Sequence, residues 1–319
     1  MNSTLLKVRV QGIRYEAVDI ISLGLRTLEG ELPVWTPGSH VDVHLANGLV
    51  RSYSLSNLKT GDEEYRLTVQ RDPATRGGSK SMHDNLRVGQ VLEISPPRNN
   101  FPLCESAVGT VFIAGGIGVT PFLSMAQRLN EIRRPWTMYY SVRSPDRAAH
   151  LDELQTVAAA AQGRFEMNFD GLPGGKMLDL RALLDSLSRD THVYCCGPEG
   201  MLNAYRAAAA EVFPSEQVHY EYFSVTVDAA AGGYIVSLAR SGKEVRVNEG
   251  ETLLKALLAA GVKVPYSCEE GVCGACETRV LSGTPDHRDM ILSDREHAEG
   301  KTMMICCSGS KSERLVIDL

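Results

Sequence analysis

The chain has no excess of positive charge: 33 Lys and Arg stand against 39 Asp and Glu, for a net charge of −6 and a pI near 5.8. A nucleic-acid binder carries a clustered basic surface, so that class is not expected. No apolar run reaches the length of a membrane span. The opening residues, Met1-Asn2-Ser3-Thr4-Leu5-Leu6-Lys7-Val8-Arg9-Val10, alternate like a strand where a secretory leader would hold an apolar core. Cysteine is too sparse for a disulfide scaffold, with eight in 319 residues. These absences lead to the expectation of a protein of the reducing cytoplasm. Repeats and low-complexity tracts are lacking, and 43% hydrophobic with 23% charged residues is an ordinary globular composition. The length allows two or three domains, each with its own core.

What is present comes in three styles. From residue 6 to about 103, short runs alternate at period two, at 6–10, 17–23, 40–45, 65–70 and 90–94. Turn residues separate them, among them Pro37-Gly38, Asn47-Gly48 and Thr60-Gly61-Asp62. This predicts a small antiparallel barrel, with one short helix near 81–86 after the Gly77-Gly78 loop. From residue 109 the period changes. Gly109-Thr110-Val111-Phe112-Ile113-Ala114 reads as a buried strand entering a glycine-rich turn and then a helix, with further buried strands at 136–142 and 192–196 and a helix from 199 to 212. Strand, turn, helix, strand predicts a parallel sheet, whose ligands sit at the carboxyl ends of its strands. Small residues at 226–233 predict a linker, followed by a hairpin at 234–247 and an amphipathic helix at 251–260 stopped by Gly261. The expected domains are 1–104, 105–226 and 234–319, with 227–233 joining the last two.

The most specific signal is Cys268, Cys273 and Cys276 on one loop, answered by Cys306: C-x4-C-x2-C-x29-C, the ligand spacing of a plant-type [2Fe–2S] cluster. Gly271 and Gly274 stand where backbone must fold tightly over inorganic sulfide. A zinc site usually presents two C-x2–4-C pairs, and Cys306 has no such upstream partner. Cys104 and Cys307 read as structural.

Other constellations are weaker. In the stretch Arg51-Ser52-Tyr53-Ser54, Arg51, Tyr53 and Ser54 offer a guanidinium for phosphate, a ring to cover a planar cofactor, and a short hydroxyl for its polar edge; alternation puts Arg51 and Tyr53 on one face. An ordinary half-exposed strand would look the same. Gly77, Gly78, Ser79 and Lys80 add free backbone N–H groups for an anion. His83 nearby reads as a satisfied structural residue. Gly115, Gly116 and Gly118, ahead of Thr120 and Pro121, lack the G-x-G-x-x-G spacing but end a buried strand, where a planar ring could rest on them. Cys196, Gly197 and Pro198 end a later strand in the same manner, with a buried inert thiol as the alternative for Cys196.

Taken in order, Arg51-Ser52-Tyr53-Ser54, the turn from Gly115 to Pro121, Cys196-Gly197-Pro198 with Met201, and the four-cysteine spacing resemble the phthalate dioxygenase reductase family over essentially the whole chain. The sequence is also similar to the reductases of vanillate demethylase and carnitine monooxygenase. The resemblance implies a multi-domain α+β architecture: a six-stranded antiparallel FMN-binding β-barrel, an α/β parallel-sheet nucleotide-binding domain, and a β-grasp [2Fe–2S] ferredoxin domain. It implies that Arg51, Ser52, Tyr53 and Ser54 hold the flavin, with Val69, Gln70 and Arg71 and residues Gly77 to Lys80 around its phosphate. Thr120 would approach the flavin from the neighbouring domain. Gly116, Gly118, Cys196, Gly197 and Pro198 would shape the nicotinamide pocket, and Phe223 would end the nucleotide domain near the flavin ring.

The function so implied passes electrons from NADH through FMN and [2Fe–2S] to a terminal Rieske oxygenase, docked transiently to a monomeric reductase. An electron donor for a hydroxylase of another type, or a zinc or redox-sensing module, are the alternatives. Arg143 and Arg147 would suit a 2′-phosphate while Asp146 would repel one, and the resemblance favours NADH. Glu269, Glu270 and Glu277 would give a docking face for a basic partner, or are ordinary solvated charge.

Overall fold

The computed structural model describes residues 5–57, 63–73, 77–160, 163–225 and 230–319. The chain divides into two compact units, one ending at Phe223 and the other running from Ser224 to Leu319.

The first unit begins with β1 (Leu6–Ala17), β2 (Ile20–Thr27), β3 (His40–His44), β4 (Val50–Ser54), β5 (Tyr65–Gln70), helix α1 (Gly78–Asp84) and β6 (Val91–Ile94). The strands form an antiparallel sheet in the order β4-β3-β6-β1-β2-β5. It curls until its ends meet, because Leu55 just past β4 bridges Leu67 of β5. Val8, Val10, Leu23, Val41, Val43, Leu67 and Val69 fill the inside. The barrel expectation holds in outline, with one boundary corrected. The run at 17–23 reads as a single strand in sequence, yet Ala17 ends β1 and Ile20 opens β2. Asp19 turns the chain there at φ 63, which an Asp tolerates better than a branched residue. The turn expected at Thr60-Gly61-Asp62 lies outside the described residues.

The same unit continues with β7 (Gly109–Gly115), α2 (Thr120–Glu131), β8 (Trp136–Val142), α3 (Leu151–Ala159), β9 (Gly163–Phe169), α4 (Leu180–Asp185), β10 (Thr191–Cys196), α5 (Glu199–Ala210) and β11 (Val218–Glu221). All five strands are parallel, in the order β11-β10-β7-β8-β9. β7 and β8 are apolar because helices cover both faces of such a sheet. Phe112 of β7 meets Phe122 of α2 at 4.9 Å and Tyr194 of β10 at 5.7 Å. Burying each such ring contributes about 1.5–3 kcal/mol.

The barrel and the parallel sheet share a polar seam. Thr68 Oγ1 of β5 lies 2.8 Å from His150 Nε2, and Arg66 pairs with Glu153 of α3 at 2.7 Å. Beside it, Ala17, Ile20, Ala149 and Ile117 form a small apolar cluster.

The second unit contains β12 (Tyr234–Leu238), β13 (Glu244–Val247), α6 (Leu253–Ala259), β14 (Glu277–Ser282), β15 (Pro285–Asp286), α7 (Asp294–Glu299), β16 (Thr302–Met304), β17 (Gly309–Ser310) and β18 (Arg314–Ile317). The mixed sheet runs β13-β12-β18-β14-β16, with β12 parallel to β18 and the other pairs antiparallel. Thr252 caps α6 by accepting from the Lys255 N–H, and Leu253, Leu254 and Leu257 turn its buried stripe into the core. This is the expected β-grasp arrangement. Of the linker expected at 227–233, residues 227–229 lie outside the described residues.

Candidate cofactor and cluster sites

In the second unit, the loop from Ser267 to Cys276 follows α6 and leads into β14. Cys268, Cys273, Cys276 and Cys306 are all buried and none is in a disulfide. Their sulfurs meet as two pairs, Cys268 with Cys273 and Cys276 with Cys306, joined by a contact between Cys268 and Cys306. Two pairs of thiolates would suit two irons with two sulfur ligands each. The Cys273 thiol is pushed well up by its hydrogen bond to Cys268 and then by burial, so the protonated set is crowded. A thiophilic cation replaces those protons. The loop supplies N–H donors to sulfur: the Glu270 N–H lies 3.3 Å from Cys268 Sγ, and those of Val272 and Ala275 reach Cys268 and Cys273. Glu269 takes φ 60, one of four non-glycine residues at positive φ among those described. Cys307 packs behind the loop, where a Cβ on Gly271 would come within 2.5 Å of its sulfur, in keeping with a structural role.

In the first unit, the structure brings Arg51 to the Gly77-Gly78 loop. A Cβ on Gly78 would lie 2.7 Å from Arg51 Cγ and 2.9 Å from its Nε, so the guanidinium stem rests on backbone that only glycine leaves clear. Gly77 sits at φ 100, and α1 begins with no acidic residue in its first turn. A guanidinium beside such a loop is a cradle for phosphate. Tyr53 shares a face of β4 with Arg51 and is half-buried; burial raises its hydroxyl pKa, with Arg51 acting the other way. Ser52 donates to Asp42 Oδ1 at 2.7 Å, a carboxylate also paired to Arg98, so its hydroxyl serves the barrel wall. Ser54 is buried, Gln70 half-buried and Lys80 exposed. Ser79 Oγ accepts from the Asp72 N–H at 3.2 Å, and Arg71 pairs with Asp84 at 3.1 Å. The Val69 carbonyl lies 3.0 Å from His83 Nε2, which makes His83 the structural residue expected.

At the carboxyl edge of the parallel sheet, the turns after β7 and β10 are pressed together. A Cβ on Gly118 would strike the Cys196 carbonyl and approach Gly197 N to 2.7 Å; one on Gly115 would lie 2.7 Å from Pro198 Cδ. Gly118 is thus required by the neighbouring turn, a reason sequence reading did not supply. Gly116 differs: a Cβ there would meet nothing within 4 Å, and its φ of 54 is what selects glycine. The turn Gly116–Val119 packs against β5. Thr120 is buried and its hydroxyl donates to the Ile117 carbonyl at 3.1 Å, holding the turn. Phe223, 38% exposed, stands at the end of this unit, while Tyr222 is buried and donates to Asn203.

Sequence reading missed Glu221. It pairs in register with Cys196 across β10 and β11, and its Oε2 is buried without a hydrogen-bond partner. Burial lifts this carboxyl from the usual 4.5 to about 8. Burial also raises the Cys196 thiol well up, with Glu221 adding to it. The residue carried no motif, so only the pairing of two distant strands reveals it.

The fold and the buried sulfurs define a pyridine-nucleotide oxidoreductase with an iron–sulfur domain. The oxidoreductase NAD-binding domain family matches residues 112–207, and the 2Fe-2S iron-sulfur cluster binding domain family matches 236–310. Tetrachlorobenzoquinone reductase of Sphingobium chlorophenolicum is 48% identical over 98% of this chain and 98% of its own length. Vanillate O-demethylase oxidoreductase of Pseudomonas sp. is 42% identical over 99% and 100%. Among solved structures, phthalate dioxygenase reductase, described as a modular structure for electron transfer from pyridine nucleotides to [2Fe–2S], superposes with a TM-score of 0.73 at 36% identity over 99% of this chain and 98% of that one. An intact type IV self-sufficient cytochrome P450 monooxygenase matches at TM-score 0.88 and 37% identity, this chain spanning 41% of that longer one. The chain belongs to the phthalate dioxygenase reductase family. No helix among the described residues is long and apolar enough to cross a membrane.

Proposed function

We propose that this reductase binds FMN in the barrel crevice, takes its electrons from NADH, and delivers them through the four-cysteine cluster to a terminal Rieske oxygenase. The observation that carries the flavin assignment is the Arg51 side chain laid across Gly78 in the glycine loop ahead of α1. When bound, a flavin accepts a hydride as an electron pair and a [2Fe–2S] cluster accepts electrons singly, which is why one chain needs both.

The residues divide the remaining work. Arg51 and the Gly77–Lys80 loop would hold the flavin phosphate, and Tyr53 would cover a face of the ring system. Gly116 and Gly118, with Cys196, Gly197 and Pro198, would form the wall against which the nicotinamide lies, and close packing of the two turns fixes its shape. Thr120 keeps the turn in place, and Phe223 would shield the flavin from water. Glu221, paired in register with Cys196 and with Oε2 buried, would belong to the same wall. Asp146 accepts from Ser144, and Arg147 is paired with Asp19 at 3.6 Å, so Arg147 is drawn towards the barrel and away from a 2′-phosphate. NADH is therefore the favoured coenzyme. In the second unit, N–H groups aimed at sulfur stabilise added negative charge and raise the cluster potential towards that of the donor.

We further propose a cytoplasmic monomer with boundaries at 1–104, 105–226 and 234–319, docking transiently to its oxygenase. The relatives named as dioxygenase and demethylase components support that partner. A haem oxygenase is the second reading, favoured by the match to the self-sufficient P450. Extraction of the flavin from purified protein, iron and sulfide analysis, and reconstitution with a Rieske and a haem acceptor test the proposal. FMN with two irons per chain and faster turnover with the Rieske acceptor are expected; FAD, zinc, or preference for the haem acceptor would overturn the corresponding part.

A further inference from the structure

Apart from the cysteines, the second unit gathers a different set of metal-binding side chains. His287, just after β15, has its side chain 8% exposed, and neither ring nitrogen has a hydrogen-bond partner. A buried imidazole with both nitrogens unsatisfied loses its hydration without compensation, so its position requires a reason. His287, Asp289 and His297 each present one ligand atom, and these atoms all lie within 4.8 Å of one another. His297 Nε2 is 3.2 Å from Asp289 Oδ2, and His287 Nδ1 is 3.7 Å from Oδ1. The two rings stack at 4.4 Å. A cavity of about 510 Å³ opens beside both imidazoles, lined further by Thr284, Pro285, Glu299 and Lys311.

The geometry points to a second metal site, separate from the cluster, in which His287, Asp289 and His297 hold one borderline divalent cation such as Zn²⁺ or Fe²⁺. Two imidazoles and one carboxylate leave coordination positions open, as in catalytic zinc and non-haem iron sites. Magnesium and calcium prefer all-oxygen shells, and copper(I) prefers sulfur. The cavity leaves space for water or a small ligand to complete the shell. Asp289 is pre-oriented: its Oδ2 accepts from the Leu292 N–H at 2.9 Å, and Ser308 Oγ lies 3.4 Å from Oδ1. The site also touches the cluster loop. Met290 donates to the Gly271 carbonyl at 3.0 Å, and a Cβ on Gly271 would lie 3.0 Å from Asp289 Cα. A cation held by Asp289 would therefore brace the segment behind the cluster.

The test uses the full-length, cluster-loaded protein, washed with chelator and dialysed to equilibrium against Zn²⁺, with zinc and iron counted per chain. One added zinc with iron unchanged is expected, and the apparent Kd should rise about tenfold or more in His297→Gln and in His287→Gln. His297 is the safer probe, because it lies on the part-exposed α7 and Asp289 keeps its backbone donors without it. Equal zinc uptake by the parent and His297→Gln, uptake only at the expense of iron, or no uptake in large excess of zinc would each overturn the proposal.

Discussion

Three of the four cluster cysteines of the second unit stand within nine residues of one another, from 268 to 276, whereas the crevice of the first unit draws on positions from Arg51 to Glu221. The cluster loop is one local conformation, set by glycines and by N–H groups that point at sulfur whatever the rest of the domain does. The crevice exists only once a curled sheet and a parallel sheet have each formed and met along the Thr68–His150 and Arg66–Glu153 seam. A local site therefore announces itself by residue type and spacing. A composite one is built from side chains whose roles are fixed by what arrives opposite them.

This contrast makes the two regions separable by mutation. The largest effect is expected from Cys306→Ser, which removes a thiolate of the second unit: NADH-driven reduction of cytochrome c should fall about a hundredfold or more, while reduction of a two-electron quinonoid dye persists. If both activities fell together, the sites would not be independent. Arg51→Ala should then leave the iron content unchanged but weaken flavin retention roughly ten- to a hundredfold, the worth of a charge-assisted phosphate contact, as read by fluorescence of released flavin on dilution. Gly118→Ala drives a methyl into the Cys196 carbonyl, so the two turns must part. Turnover with NADH should drop roughly tenfold, at a stability cost of about 1–3 kcal/mol in thermal unfolding.

The smallest effect concerns Glu221. Its carboxyl is protonated in the folded chain up to about pH 8 but ionises near 4.5 when exposed, so its presence makes the fold less stable as pH rises through that window. Glu221→Gln should flatten that slope, with a gain in Tm over the parent that is larger at pH 8 than at pH 5, by about 2–4 °C for each kcal/mol relieved. An equal gain at both values would show that the carboxyl is already ionised in the fold.

The same contrast governs how much could be read in advance. The alternating run of β6 and the apolar run of β7 are legible because period and burial agree there. Strand β11 is not, since its four residues are half-buried along their length; β9 alternates Phe165, Met167 and Phe169 with Arg164, Glu166 and Asn168, a period-two signal that sequence reading passed over. Helix α7 escaped notice although Ser293 and Glu296 form a capping box, because its six residues bury nothing and so carry no apolar stripe. At the sites, the four cysteines named from their spacing are the ones the fold buries around one loop. Thr120 and Ser52 enter through the family resemblance; their hydroxyls are engaged with Ile117 and Asp42, and Gly118 is fixed by the turn after β10. Glu221 was invisible because its significance lies in a register with Cys196 that joins strands far apart in sequence.

Anaerobic titration of the purified protein with NADH, followed by visible absorption, tests most directly that a flavin and a two-iron cluster share this chain. Bleaching of both sets of bands should be complete at roughly 1.5 equivalents per chain, since flavin takes two electrons and the cluster one. An end point at a single equivalent with no iron–sulfur band, or a colourless protein that does not respond to NADH, would contradict it.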